Sequence, residues 1–176
     1  MDHGHTLVHR IAHWAEERPD QVAISGLEPG GHRTWTWTEY LAEVRGVGRG
    51  LLALGVEPGE CVAIVGANRP AWVICEFGIM AVRAIPAPIY TTNTVAQVAY
   101  ILEHSQARVA VCDGAEQLEK LLASQGPDGR IEHIVVMDEV VSTDPRVMTV
   151  SQLTERGERI PEQALEARLE QLTDTE

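Results

Sequence analysis

Three glycines in the sequence are the first candidates for phosphate chemistry. Gly46, Gly48 and Gly50 alternate with larger residues, and a glycine loop can bring backbone amides close to an anion. A phosphate-binding loop must follow a strand and open a helix. These glycines instead fall inside a helix that we expect to begin near Trp37. The spacing therefore favours small residues that permit close packing between helices.

Three histidines near the start of the chain are the only residues whose spacing suggests a metal. His5, His9 and His13 are four residues apart, so they could share one helical face. The zinc-binding H-E-x-x-H arrangement needs a glutamate between two of them, and that glutamate is absent. The pattern favours a solvated helix face, and we predict no metal site.

Chemically useful residues also follow two predicted strands, at the end where open parallel sheets bind ligands. Asp113 could be a phosphate acceptor of the response-regulator kind. Such a site also needs an acidic pair after the first strand, which residues 65–67 lack. Tyr90 and Thr91 follow another strand, and they are our candidates for lining a substrate crevice. No residue in these positions is predicted to be catalytic.

The overall charge limits the classes of partner. The 176 residues carry 14 basic and 26 acidic side chains, for a net charge of −12, and 44% of them are hydrophobic. Such a surface repels nucleic acid and anionic lipid, so we expect no nucleic-acid partner. No apolar run approaches the ~20 residues of a membrane-spanning helix, and the N-terminus lacks the apolar core of a signal peptide. We therefore expect a cytoplasmic protein without a transmembrane segment.

Cysteine use agrees with that location. Cys61, Cys75 and Cys112 are odd in number, far apart and set in apolar runs. This pattern argues against a disulfide framework and favours reduced thiols that fill core space.

Helices and strands are predicted to alternate along the chain. A capping box at Thr36 and Glu39 opens one helix, and Gly55 is placed to end it in a left-handed conformation. The patterns predict helices near residues 7–17, 37–54, 70–83, 94–104, 114–124 and 163–172, and strands near residues 22–24, 33–36, 61–65, 84–89, 108–112 and 131–137. The first helix is expected to bury Leu7, Ile11, Trp14 and Ala15.

This alternation predicts an α/β fold, with a mostly parallel sheet and helices on both faces. The first two short strands are expected to form a hairpin. The two prolines in 84–89 place that strand at an edge or a break in the sheet. We expect one compact α/β domain at residues 1–137. Residues 138–176 are predicted to be a loosely packed extension, because their composition is polar and irregular.

A structural joint is predicted where the strand at 61–65 meets the next helix. Asn68 is placed to cap that helix, Arg69 follows it, and Pro70 suits the first helical position. Trp72 lies in the first turn, where it could pin the helix to the sheet. These four residues contain no nucleophile, acid–base pair or metal-binding set.

The joint is one of five segments that together resemble the long-chain fatty acyl-CoA synthetases of the adenylate-forming family. The N-R-P-A-W of residues 68–72 is similar to the family's N-R-P-E-W. The other similar segments, in order, are residues 34–40, 54–64, 84–92 and 97–105. The likeness extends from about residue 7 to residue 172, so it implies an incomplete N-terminal subdomain of the adenylate-forming fold.

The resemblance implies a two-step ligase reaction. A fatty acid carboxylate attacks the α-phosphate of MgATP to give acyl-adenylate and pyrophosphate, and CoA then displaces AMP to give acyl-CoA. The family's phosphate loop, T-S-G-T-T-G-x-P-K-G, does not occur in these 176 residues. Residue-by-residue transfer therefore assigns no catalytic, cofactor-binding or metal residue to this chain. ATP, magnesium and CoA are implied only for a complete enzyme.

We therefore expect an N-terminal portion of a long-chain fatty acid–CoA ligase that is catalytically incomplete alone. Its expected partner is the remainder of a synthetase chain or a second copy, since bare apolar surface and strand edges favour association. The alternatives are a non-enzymatic dimerisation or regulatory module, a truncated relic, a split enzyme, and an unrelated nucleotide-binding α/β domain.

Overall fold

A computed structural model describes residues 6–126 and 129–172, so His5 lies outside the described residues. Within these ranges the helices are α1 (Leu7–Glu17), α2 (Trp37–Ala53), α3 (Pro70–Ala81), α4 (Val95–Ser105), α5 (Ala115–Ser124), α6 (Val150–Gly157) and α7 (Glu162–Leu169). The strands are β1 (Val22–Glu28), β2 (Gly31–Thr36), β3 (Cys61–Val65), β4 (Ile85–Ile89), β5 (Val109–Cys112), β6 (His133–Val136) and β7 (Val147–Thr149).

Five strands form a parallel sheet in the order β4-β3-β5-β6-β7, while β1 and β2 form a separate antiparallel hairpin. The α/β fold with a mostly parallel sheet is confirmed, and so is the hairpin. The proline-containing strand β4 lies at an edge, as its sequence predicts.

Side chains that alternate along β3 point into two separate cores. Val62 and Ile64 belong to a cluster with α1, α2, α3, α6 and α7 on one face of the sheet. Ala63 and Val65 belong to a second cluster with α4 and α5 on the other face. Each of these four side chains is at most 2% exposed, which explains why the strand is apolar throughout.

Local capping signals place the helix ends. The backbone N–H of Glu39 donates to the Thr36 hydroxyl at 3.2 Å, and the Thr36 N–H donates to the Glu39 carboxylate at 2.8 Å. Gly55 has a φ of +76°, as predicted for the end of α2. In α1 the predicted buried face is partly wrong. Val8 and Ile11 are buried there, whereas Leu7 is 60% exposed.

The glycines of α2 permit backbone contact with α6. A Cβ on Gly50 would lie 2.5 Å from Cγ of Leu153, and a Cβ on Gly157 would lie 2.6 Å from the backbone N of Gly50. Since real Cβ atoms do not approach this closely, both positions require glycine. The packing role predicted for Gly46, Gly48 and Gly50 is confirmed, and these glycines do not form a phosphate loop.

The segment after residue 137 is more firmly packed than its composition suggests. Leu153 of α6 and Leu165 of α7 are fully buried against the first core. The Arg49 guanidinium donates to the Ile160 carbonyl at 2.7 Å, which joins the connection between α6 and α7 to α2. The expected loose packing is therefore wrong. The few leucines of this segment are widely spaced among charged residues, so its average composition does not indicate that they are buried. The division of the chain at residue 137 into two units stays a prediction.

Neither edge of the five-stranded sheet offers a row of free N–H donors. The Ile85 N–H donates inward to Glu60, so strand alternation directs Pro86 and Pro88 outward, where proline has no N–H. At the other edge, the outward N–H groups of β7 have local acceptors. Val147 donates to the Asp144 carbonyl at 3.1 Å, and Thr149 donates to the Gln152 side chain at 2.9 Å. Strand addition is thus disfavoured at both edges.

The three thiols are free, with Cys75 and Cys112 buried and Cys61 half-buried, as the cysteine spacing predicts. In the part of the chain that the structure describes, no helix is long and apolar enough to cross a membrane.

Candidate functional site

The carboxyl ends of β3, β5 and β6 meet around the side chain of Arg69, which is only 12% exposed. Its guanidinium pairs with the Glu28 carboxylate at the end of β1. It also donates to Oδ1 of Asp138 at 2.5 Å and to the backbone carbonyl of Asp113 at 3.0 Å. One side chain thus joins the hairpin to the turns after β5 and β6. We call Arg69, Glu28, Asp113 and Asp138 the Arg69 cluster.

The electrostatics of the cluster suit a structural cation. Burial lowers the pKa of the Arg69 guanidinium, but the hydrogen bond to Asp138 and the charge of Glu28 outweigh this effect. The net result is a raised pKa. Arg69 therefore stays charged wherever the protein is folded, and it cannot exchange protons as an acid–base catalyst would.

Glu28 also caps α3, which corrects the role predicted for Asn68. The N-cap residue of α3 is Arg69, with no side-chain hydrogen bond at the cap, and Pro70 is the first helical residue. The Ala71 N–H donates to Oε1 of Glu28 at 2.8 Å. The capping role of Asn68 is wrong, because the hairpin brings a carboxylate to the helix N-terminus from a distant part of the chain.

Protein carboxylates also occupy the neighbouring positions where an anion could bind. The Ala67 N–H donates to Oδ2 of Asp113 at 2.8 Å. At the start of α5, a Cβ on Gly114 would lie 2.9 Å from Oδ2 of Asp138. Helix N-termini attract anions, and at α3 the chain supplies its own anion, the Glu28 carboxylate.

The Asp113 carboxylate stabilises the turn after β3 by accepting the hydrogen bond from Ala67. No group of three or more His, Cys, Asp or Glu side chains in residues 6–126 and 129–172 could hold a metal ion. A phosphate-acceptor aspartate of the response-regulator kind would need such a group, so the arrangement does not favour that alternative.

Trp72 lies against the end of β3. A Cβ on Gly66 would be 3.1 Å from Cδ1 of the indole and 2.9 Å from Cβ of Asp113. The tryptophan is half-buried and packs against the first core. A glycine at position 66 thus lets the β3 turn, the start of α3 and the β5 turn approach one another closely.

A cavity of about 470 Å³ lies beside the Arg69 cluster, between the hairpin, α2, α3 and α6. Its apolar lining includes Ile74, Cys75 and Met137. Burial raises the pKa of the Cys75 thiol to about 12, so the thiol stays protonated and is a poor nucleophile. The cavity has the size of a ligand site, but its lining provides no activated catalytic group.

Tyr90 and Thr91, the predicted crevice residues, lie apart from this cavity. They follow the edge strand β4, on the opposite side of β3 from β5 and β6. Tyr90 is 80% exposed, and the Thr91 carbonyl accepts a hydrogen bond from Nζ of Lys120 at 2.5 Å. The structure does not bring them to the Arg69 cluster, and their role in a crevice stays a prediction.

Comparison with known protein families identifies proteins related to this chain. The family model described as AMP-binding enzyme matches residues 11–168. The chain belongs to the AMP-binding enzyme family.

Among curated AMP-binding relatives, the long-chain-fatty-acid–CoA ligase FadD15 of Mycobacterium bovis is 30% identical over 158 residues. That alignment covers 90% of this chain but 26% of FadD15, in its N-terminal portion. The uncharacterised protein Rv1549 of Mycobacterium tuberculosis is 36% identical over 120 residues, which is 68% of this chain and 65% of that protein. The chain thus spans less than two thirds of the length of either relative.

Solved structures agree with the family assignment. The anthranilate CoA ligase AuaEII, crystallised with anthranoyl-AMP, superposes with a TM-score of 0.76 and 27% identity, covering 88% of this chain and 29% of that one. The N-terminal domain of FACL13 from Mycobacterium tuberculosis gives a TM-score of 0.67 over 88% of this chain and 36% of that one. At 22% identity, the latter supports the fold alone.

The sequence of this AMP-binding family member drew attention to Arg69 through its N-R-P motif, but not to the residues that Arg69 binds. Glu28 is the last residue of β1 and Asp138 lies in an irregular segment, and neither belongs to a motif. The only signal that could have found them is the need of a buried guanidinium for carboxylate partners.

Proposed function

We propose that this chain is the N-terminal portion of a long-chain fatty acid–CoA ligase of the AMP-forming type, and that these residues alone do not catalyse the reaction. The observation that carries the proposal is the 158-residue alignment with the FadD15 ligase of M. bovis. The complete reaction would join a fatty acid to CoA at the expense of ATP, releasing AMP and pyrophosphate.

In this proposal the Arg69 cluster has a structural role. Its ion pairs set the relative positions of the hairpin, the β3–α3 joint and the turns after β5 and β6. A ligase needs such turns in fixed positions, because misplacement by about 1 Å can cost ~100-fold in rate. Tyr90 and Thr91 remain the proposed crevice residues, at the separate end of β4.

ATP, magnesium and CoA belong to the complete enzyme in this proposal. The Glu28 carboxylate caps α3, and the Asp113 carboxylate accepts a hydrogen bond from Ala67 in the turn after β3, so no reaction step is assigned to these residues. Groups that stabilise transferring phosphates must come from elsewhere in the enzyme. A cytoplasmic location is part of the same proposal.

The first test is fatty-acid-dependent exchange of pyrophosphate into ATP. We expect the purified chain to show no exchange above the blank, whereas M. bovis FadD15 under the same conditions serves as the active control. Exchange by the chain alone would contradict its catalytic incompleteness.

The second test is the DNA that follows the codon for Glu176. We expect a reading frame there, continuous or adjacent, that encodes the T-S-G-T-T-G-x-P-K-G loop. If no such loop is encoded nearby, the ligase proposal fails for this locus, and a non-enzymatic module becomes the better explanation.

A further inference from the structure

An aromatic ring and a carboxylate hold a cation at the wall of the cavity beside the Arg69 cluster. The indole Nε1–H of Trp35 donates to Oε1 of Glu43 at 2.8 Å. The Arg33 guanidinium donates to the same oxygen at 2.6 Å, and its Cζ lies 4.1 Å from the centroid of the Trp35 ring. A ring face and a charged acceptor that act together are a recurrent means of binding cations. We call Trp35 and Glu43 the cation-binding pair.

The Arg33 side chain is an occupant that another cation can replace. It is 55% exposed, and the Glu43 side chain is 37% exposed, so this ion pair contributes little to stability. Both hydrogen bonds to Glu43 use Oε1, and no donor from residues 6–126 or 129–172 contacts its second oxygen, Oε2. A cation that enters from the cavity therefore finds an acceptor oxygen, and the ring face becomes free when Arg33 moves into solvent.

The cavity next to the cation-binding pair has room and apolar walls for the rest of such a ligand. Its volume is about 470 Å³, and its lining includes Val47, Ile74 and Cys75, which are all buried. An apolar body placed against these side chains would be removed from water, which favours binding.

The charges around the cavity select the sign of the ligand. Four carboxylates and two guanidiniums line it, from Glu28, Glu43, Asp138 and Glu139 and from Arg33 and Arg69. Both guanidiniums already pair with carboxylates of this set. A ligand carboxylate or phosphate would add to the excess of negative charge, whereas an ammonium would reduce it.

We propose that this cavity binds a small organic cation. Its ammonium group lies against Trp35 and Glu43 in place of the Arg33 guanidinium, and its apolar body packs against Ile74 and Cys75. This site goes beyond the proposed ligase function, and it holds whether or not the chain is part of a ligase.

NMR titration of the 176-residue chain with 2-phenylethylammonium tests the proposal. The reporter is the indole N–H signal of Trp35, because this group donates to Glu43. We expect a saturable shift of that signal. The neutral probe 2-phenylethanol and the anionic probe phenylacetate have nearly the same shape, and both are expected to bind more weakly than the ammonium.

Two variants should change the affinity for 2-phenylethylammonium in opposite directions. Glu43→Gln keeps an acceptor for Trp35 but removes the charge, and it should weaken binding by about 10-fold. Arg33→Ala removes the competing cation, and it should strengthen binding by up to about 5-fold, since exposed ion pairs are weak. A purely structural role of the two residues would not produce opposite signs, and far-UV circular dichroism verifies that each variant is folded.

The chain contains a matched control for the cation–ring contact. Cζ of Arg18 lies 4.5 Å from the centroid of the Trp14 ring, but neither residue lines the cavity. Arg18→Ala should therefore leave the affinity unchanged, and the Trp14 indole signal should show no saturable shift.

Four outcomes would overturn the proposal. The Trp35 signal could fail to shift in both the parent and Arg33→Ala. Phenylacetate or 2-phenylethanol could bind as tightly as the ammonium, which would show that the cavity does not select a cation. Arg33→Ala could weaken binding, which would show that Arg33 does not compete with the ligand. Trp14 could respond as Trp35 does after Arg18→Ala, which would indicate a general affinity of exposed rings for cations.

Discussion

Arg69 differs from the other paired arginines of the described chain in its burial. Its side chain is 12% exposed, and so is that of Glu28, whereas Arg33 and Arg108 are 55% and 40% exposed in their own ion pairs. Removing one partner of a buried pair leaves an uncompensated charge, while exposed pairs contribute little to stability. The same residue type should therefore have very different effects at these positions.

Replacing Arg69 by methionine should lower the free energy of unfolding by about 3–5 kcal/mol, because Glu28 and Asp138 would keep their charges without a cation. Urea unfolding followed by circular dichroism measures the change. The control is Arg108→Met, which breaks pairs with Glu60 and Glu132 at the surface and should cost less than about 1 kcal/mol. Equal losses in the two variants would show that Arg69 has no special role.

Asp144 should make the free energy of unfolding depend on pH in the acid range. Hydrogen bonds from the Arg146 side chain, and then from its backbone N–H, lower the pKa of the Asp144 carboxyl from 3.8 to about 2. Because the folded-state pKa is the lower one, its stabilisation is present above pH ~4 and is lost as the pH falls toward 2. Asp144→Asn should remove this part of the pH dependence of urea unfolding.

Carboxyl NMR titration measures the same group directly. A midpoint for Asp144 near its ordinary value would show that the hydrogen bonds to Arg146 are not maintained in solution.

At the level of helices and strands, the sequence predicts the features that depend on interactions between residues close to one another in the chain. The Thr36–Glu39 capping box and the left-handed Gly55 lie at the two ends of α2, and both are where the sequence placed them. The cap of α3 is different, since its acceptor is Glu28, from the hairpin. No local pattern carries that information, so the sequence favoured the nearby polar residue Asn68 and was wrong.

The contact between α2 and α6 gives a matched pair of glycine substitutions. Gly50→Ala should destabilise the fold by about 1–3 kcal/mol, because the new methyl would overlap Leu153. At Gly46, in the same helix, a Cβ would lie 3.2 Å from the methyl of Thr154 and 3.7 Å from its Cβ, a contact that a shift of a few tenths of an ångström relieves. Gly46→Ala should be neutral, or stabilising by up to ~1 kcal/mol through its higher helix propensity.

Thermal and urea unfolding of the two variants would test this contact. If Gly50→Ala gained stability as Gly46→Ala is expected to, the close approach of α2 and α6 would be wrong.

At the scale of the whole molecule, the mostly parallel sheet follows from the alternation of strands and helices, and the edge position of β4 follows from its prolines. The extent of the fold does not follow from the sequence pattern. Leu153 and Leu165 are separated by polar and charged residues, so composition predicted weak packing after residue 137. Their burial depends on the glycines of α2, which are about a hundred residues earlier. Complementary shapes of residues so far apart in the chain produce no periodic pattern in the sequence. The separation of Tyr90 from the Arg69 cluster also depends on strand order, which local pattern does not specify.

The blocked sheet edges should keep the protein from forming extended assemblies. Replacing Pro86 and Pro88 by valine would restore two outward N–H groups on β4, and we expect high-mass species and fibrous aggregates to appear. Sedimentation velocity and thioflavin fluorescence measure this change. Pro161→Val is the control, since it removes a proline from the exposed turn before α7 without changing a strand edge.

High-mass species in the Pro161→Val control, or none in the double variant, would show that the prolines of β4 do not protect this edge.

The Arg69 cluster also sets an order of events during synthesis. Glu28 leaves the ribosome before Arg69, but Asp138 follows 69 residues later, which at ~5–20 residues per second takes about 3–14 s. During that interval the nascent guanidinium has its hairpin partner and lacks the second carboxylate. The turns after β5 and β6 can therefore be locked to the hairpin only after most of the chain has been translated. A pause in translation before codon 138 would prolong the time in which this edge stays open to chaperones and proteases.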